Sequence, residues 1–116
     1  MVTRNVVETK NEPEYSLAGA QRLASFKQLN YMGRRVQVHV ANLHYSFDDV
    51  CQAIIDLRER DFHCSEKYEN VPKWHDVYLL PNPVPENPDE RLYVKFRVTP
   101  DFVSIELCSF HPEGWL

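Results

Sequence analysis

The chain has 3 glycines and 3 cysteines among its 116 residues, no apolar run long enough to span a bilayer, and no excess of positive charge. Each shortage narrows the reading. Cys51, Cys64 and Cys108 are odd in number and form no CxxC pair, which argues against a disulfide framework and a structural zinc site. Cys51 falls on a helix face and Cys108 in a strand, so both read as buried free thiols. The opening "MVTRNVVETKNEPEYS" has no signal-like apolar stretch, and the expected setting is cytoplasmic, with no membrane partner. A net charge of −4 argues mildly against a nucleic-acid binder as a whole. Binding answers to the local field, however. "RLYVKFR" holds three cations and no acid, whereas much of the negative charge sits in "NEPE", "FDDV" and "PENPDE".

A hydrophobic fraction of 43% and a charged fraction of 26% are those of an ordinary globular domain. Residues 1–14 are polar and read as a flexible N-terminal arm, leaving 15–116 as a single domain. From Ser16 the pattern is helical, with Leu17, Ala20, Leu23, Ala24 and Phe26 as its apolar face and Gly33 as its stop. "RVQVHVA" alternates and reads as a half-buried strand. In "YSFDDVCQAIIDLRERDF", Ser46 caps a second helix, Asp48 and Asp49 suit its positive end, and Phe47, Val50, Cys51, Ile54 and Leu57 face a core. "CSEKYENVPK" reads as a loop. "WHDVYLL", "RLYVKFRV" and "FVSIELCSF" are three strands, and the Pro-rich stretch 81–88 is an exposed connection. The fold expected is α+β: a small antiparallel sheet with two helices packed on one face.

In "RLYVKFRV", Leu92, Val94, Phe96 and Val98 point toward the helices, so Arg91, Tyr93, Lys95 and Arg97 share the open face. Cations there can meet phosphates, and a Tyr ring can stack on a base or exchange a proton. Solvated residues on a half-exposed sheet would give the same pattern. His63, Cys64, His75, Cys108 and His111 lack metal-ligand spacing, so neither a metal nor a cofactor is expected.

Asp61, Phe62, Ser65, Tyr68, Trp74, Asp76, Val77, Tyr78, Tyr93, Lys95, Ser109 and Phe110 lie in "DFHCSEKY", "WHDVY", "RLYVKF" and "SFH". In that order they resemble the MqsR family of type II toxin–antitoxin toxins, over roughly residues 15–111. The resemblance implies a RelE-like fold and an mRNA interferase: a metal-independent endoribonuclease that cuts messenger RNA by 2′-OH attack and so inhibits translation. It also implies a cognate antitoxin and, through it, a DNA-bound complex. Three family positions differ here. Cys64 replaces an active-site Lys, with Lys67 three residues on; His75 replaces a Gln; and His111 replaces a C-terminal Lys. Tyr93 is kept.

Histidine is the side chain best suited to proton transfer near neutral pH. If His75 and His111 converge, one can be base and the other acid, with Lys67 and Lys95 neutralising the phosphate and Tyr93 assisting. Arg91, Arg97, Lys73 and Tyr78 are the residues expected to bind RNA. The competing reading is a catalytically lapsed RelE-like domain, kept for protein binding or autoregulation.

Overall fold

The computed structural model describes residues 5–81 and 90–115. In chain order the elements are β1 (Val6–Lys10), α1 (Leu17–Ser25), β2 (Leu29–Tyr31), α2 (Arg34–Asn42), α3 (Phe47–Asp56), a 3-10 turn (Glu59–Asp61), β3 (Phe62–Tyr68), β4 (Val71–Pro81), β5 (Arg91–Val98) and β6 (Ile105–Pro112). The strands form one six-stranded sheet in the order β1-β3-β4-β5-β6-β2. Every pairing is antiparallel except that of β2 with β6.

Local signals explain the helices. Ser16 Oγ accepts from Gly19 N–H at the start of α1. At α3, Ser46 and Asp49 exchange a reciprocal capping box, which satisfies two backbone donors that would otherwise lack partners. Gly33, at φ 109°, turns the chain out of β2 into α2, a conformation open to a residue without a Cβ.

The core lies between these helices and one sheet face. Ala20, Ala24, Val36, Val40, Val50, Cys51 and Ile54 meet Tyr78, Leu92, Val94, Phe96, Ile105, Leu107 and Phe110. Each large apolar side chain so buried contributes about 1.5–3 kcal/mol. Asp76 is buried on this side and accepts from the backbone N–H groups of Glu14 and Tyr15 at 3.0 and 2.9 Å. The Tyr15 hydroxyl donates to the Trp74 carbonyl at 2.7 Å. Together these bonds fasten the segment before α1 to β4.

The α+β architecture, the helix at 47–56 and the inward set on β5 match the expectation from sequence. Several local readings change. The first helix ends at Ser25 rather than at Gly33, Phe26 is exposed, and Leu29–Tyr31 form β2. "RVQVHVA" is helix α2, not a strand: Val36 and Val40, four apart, are buried while Val38 is 45% exposed. Among the described residues three α-helices, rather than two, therefore cover the sheet. "CSEKY" belongs to strand β3, which pairs on both sides. The presumed arm contains β1, an edge strand bonded to β3. Of the Pro-rich connection read at 81–88, Pro81 is the last residue of β4 and the rest lies outside the described residues.

Candidate active site

The helix-free face of the sheet is built by strand alternation. Because Phe96, Val94 and Leu92 face the helices, their partners Asp76, Tyr78 and Leu80 on β4 do too, and the intervening His75, Val77 and Leu79 take the open side. On β5 that side carries Tyr93, Lys95 and Arg97, and on β6 their partners His111, Ser109 and Glu106. On β3, Glu66 pairs across from His75.

Lys95 occupies the middle. Its Nζ donates to the Tyr68 hydroxyl at 2.8 Å and lies 4.8 Å from that ring's centroid. Tyr68 in turn donates to Glu66 at 2.7 Å. Burial, followed by the bond to Glu66, raises the Tyr68 pKa and keeps its hydroxyl protonated. A cavity of about 230 Å³ opens here, lined by Met32, Tyr68, His75, Lys95, Arg97 and Cys108.

At one end of this cavity His75 is 1% exposed. Its Nε2 is 2.9 Å from Arg97 Nη1. A guanidinium only donates, so Nε2 accepts and Nδ1 carries the proton. Nδ1 is buried and has no hydrogen-bond partner among the described residues. Burial first, then the charges of Arg97 and Lys95, pull the His75 pKa down to about 4. Arg97 also donates to Glu106 at 2.7 Å, a pair with both side chains largely covered.

Outside the cavity, farther along the same open face, His111 stacks on Tyr93, ring centroids 5.2 Å apart and planes 15° from parallel. Its Nδ1 lies 2.8 Å from the Pro112 carbonyl oxygen. A carbonyl only accepts, so the hydrogen is on Nδ1 and the neutral ring presents its lone pair at Nε2. Burial is the main cause of its lowered pKa, with His39, Arg35 and Lys95 adding to it. The Tyr93 pKa is raised, by burial and then by Glu66 and Cys64.

The two histidines do not meet directly. His75 lies beside Arg97 and His111 beside Tyr93, four positions away along β5, which is about 13 Å at ~3.3 Å per residue. Lys95 sits between them, and its charge acts on both rings. Tyr93, Lys95, Arg97, His75 and His111 thus share one face. Other candidates are elsewhere. Lys67 pairs across from Trp74 on the helix side, its Nζ 4.7 Å from the indole centroid and 3.7 Å from Glu8. Tyr78 is 1% exposed and stacks on Phe96 in the core, so it cannot offer its ring to a base. Arg91 is held by two bonds to Glu113 at 2.9 Å, and Lys73 is exposed near the start of β4. Cys64 is buried on the open face, its thiol pushed up to about 11 by burial and then by Glu66.

Glu66, Tyr68, Glu106 and His39 were missed as site residues. Glu66 and Tyr68 sit two apart, as residues on one strand face do, but the signal is mute while that segment reads as a loop. His39 reaches the His111 ring, 5.0 Å between centroids, only because its segment is a helix.

No helix among the described residues is long and apolar enough to cross a membrane, and no group of three or more metal-type ligands occurs among them. No curated protein matches the chain. The profile of the family described as motility quorum-sensing regulator, toxin of MqsA, matches residues 12–112, from just before the Asp76-bound segment to the last residue of β6. That span takes in the whole open face from Tyr68 to His111, and the chain belongs to the MqsR toxin family.

Proposed function

We propose that this toxin is an endoribonuclease that cuts messenger RNA in the cytoplasm by 2′-OH attack, with no metal in the reaction. The observation that carries the reading is the open face itself: a histidine with a free lone pair, a phenol and two cations side by side on adjacent strands. His111 Nε2 takes the proton of a ribose 2′-OH. The 2′-oxygen attacks phosphorus, the P–O5′ bond breaks, and the 5′-oxygen receives a proton from the Tyr93 hydroxyl. The products are a 2′,3′-cyclic phosphate and a 5′-OH. Lys95, with Arg97 behind it, stabilises the charge on the phosphorane, a role for which one donor contributes about 10²–10³-fold.

His75 is a positioning residue in this scheme. Its lone pair accepts from Arg97 and its low pKa keeps it neutral. It fixes the guanidinium rather than moving a proton. The partner is a cognate antitoxin, in keeping with the family description, and the pair binds DNA through that antitoxin. A lapsed domain, binding protein alone, has one observation in its favour: Glu106 already neutralises Arg97. Cleavage of RNA in EDTA, with analysis of the product ends, separates the two. Cyclic phosphate ends, lost in His111→Ala and Tyr93→Phe, are the expected result. Intact RNA after exposure to folded protein, with and without ribosomes, would leave the lapsed reading.

A further inference from the structure

The run of rings that begins at Tyr93 and His111 does not stop there. His39 meets His111 edge-on at 5.0 Å and Trp115 edge-on at 5.7 Å. Trp115 lies beyond the residues the family profile matches, and the residue is 39% exposed. The tail that carries it is pinned. Glu113 N–H donates to the Arg91 carbonyl at 2.7 Å, the Glu113 carboxylate holds the Arg91 guanidinium, and Trp115 N–H donates to the Pro112 carbonyl at 3.1 Å. Gly114, at φ 99°, makes the turn. An indole half-open to solvent on an anchored turn is a ready-made stacking platform.

Charge points the same way. Arg35, in the first turn of α2, is exposed and forms no ion pair with a described residue. It lies one helical turn before His39 on α2, and its charge disfavours protonation of the His111 ring. The nearest acid on the tail, Glu113, is spent on Arg91. Aromatic faces beside an unpaired cation are what a nucleotide of single-stranded RNA requires: a ring for the base, a positive charge for the phosphate.

We infer that Trp115 and His39, with Arg35, form a base-stacking subsite holding the nucleotide next to the scissile phosphate. This rests on the ribonuclease reading for its place in the reaction, though not for its binding. Stacking is tolerant of base identity because every base has a π-face. The subsite therefore secures the strand against His111 rather than selecting a sequence.

The test uses the full chain and fluorescent, fully 2′-O-methylated single-stranded octanucleotides of mixed sequence, which cannot undergo 2′-OH attack. Trp115→Leu should weaken binding about five- to a hundredfold, the range expected for one base–aromatic stack. Trp115→Phe should restore most of it. Arg35→Ala should lower the salt slope of the binding constant by about one unit. Folding of each variant is checked by thermal melting. On cleavable RNA, Trp115→Leu should raise KM and leave kcat within about threefold, as loss of uniform binding does. Binding unchanged in folded Trp115→Leu, or no binding by the wild-type protein, overturns the subsite. Stack-dependent binding without any cleavage keeps the subsite and removes the nuclease. Cleavage that ignores Trp115 does the reverse.

Discussion

His75 and His111 stand on the same open sheet face, on opposite sides of Lys95, and their surroundings give them opposite capacities. His75 is enclosed between Tyr68 and Arg97, with its accepting nitrogen occupied and its other nitrogen buried. His111 is half-buried, spends Nδ1 on the Pro112 carbonyl and keeps its lone pair for a substrate. Residue type alone would have made them interchangeable as acid and base. The hydrogen bond at one nitrogen of each ring decides which can accept a proton, and only His111 can do so without first breaking a contact with a cation.

The sharpest way to break this comparison is to remove each ring in turn. His111→Ala should lower the cleavage rate about 10²–10⁴-fold, the contribution of a positioned base. His75→Gln, whose amide oxygen can still accept from Arg97, should cost no more than about tenfold. Equal losses would restore the two-histidine mechanism. The pH profile of kcat/KM should rise from acid pH as His111 loses its proton. It should level off below the ordinary histidine value of about 6.5, because burial, His39, Arg35 and Lys95 all disfavour the charged ring. Arg35→Ala should move that inflection upward.

The same contrast appears in stability. The folded-state pKa of His75, about 4, is below the unfolded value of about 6.5. Between these values the unfolded chain binds a proton that the folded protein refuses. Stability contributed at this site is complete above about pH 6.5 and is lost as pH falls toward 4, amounting to about 3 kcal/mol over the window. Denaturant melts at pH 7 and pH 4.5 should differ less in His75→Gln than in the wild type.

Arg97→Ala leaves Glu106, whose side chain is 18% exposed, without its charge-assisted partner, and should cost about 2 kcal/mol by urea unfolding. The smallest effect belongs to Arg91. Its pair with Glu113 is about half exposed on both sides, and Arg91→Ala should cost about 0.5 kcal/mol or less. A larger loss there would mean that the tail turn bears on the fold rather than only on the surface near His111.

Several features were legible in the chain before any coordinates. The cap and apolar spacing of "SFDDVCQAII" fix α3. The strict alternation of "RLYVKFRV" assigns Tyr93, Lys95 and Arg97 to one face, since only the other set is apolar. "WHDVYLL" gave no such guidance. Its alternate sets, Trp74-Asp76-Tyr78 and His75-Val77-Leu79, each mix polar and apolar residues, so the burial of Tyr78 could not be read from them. Pairing with β5 resolves it, because Asp76 faces Phe96 and Tyr78 faces Val94. "RVQVHVA" misleads for a related reason. Val36, Val38 and Val40 satisfy a period of two, while Val36 and Val40 alone satisfy a helical stripe, and it is the helix that packs against β6.

The sequence by itself determined the kind of domain, its family and the cations and rings available to a site, because these depend on composition, local periodicity and residue identity. Tertiary structure decided which groups meet. It sent Lys67 to the helix side with Trp74, Tyr78 to the core, and His75 to Arg97. It also brought His39, from α2, against both His111 and Trp115 of the C-terminal segment. Such juxtapositions are set by strand register and by the packing of α2 against β6. A change of register by one residue would reverse every face, and neither feature is written in any short stretch of sequence.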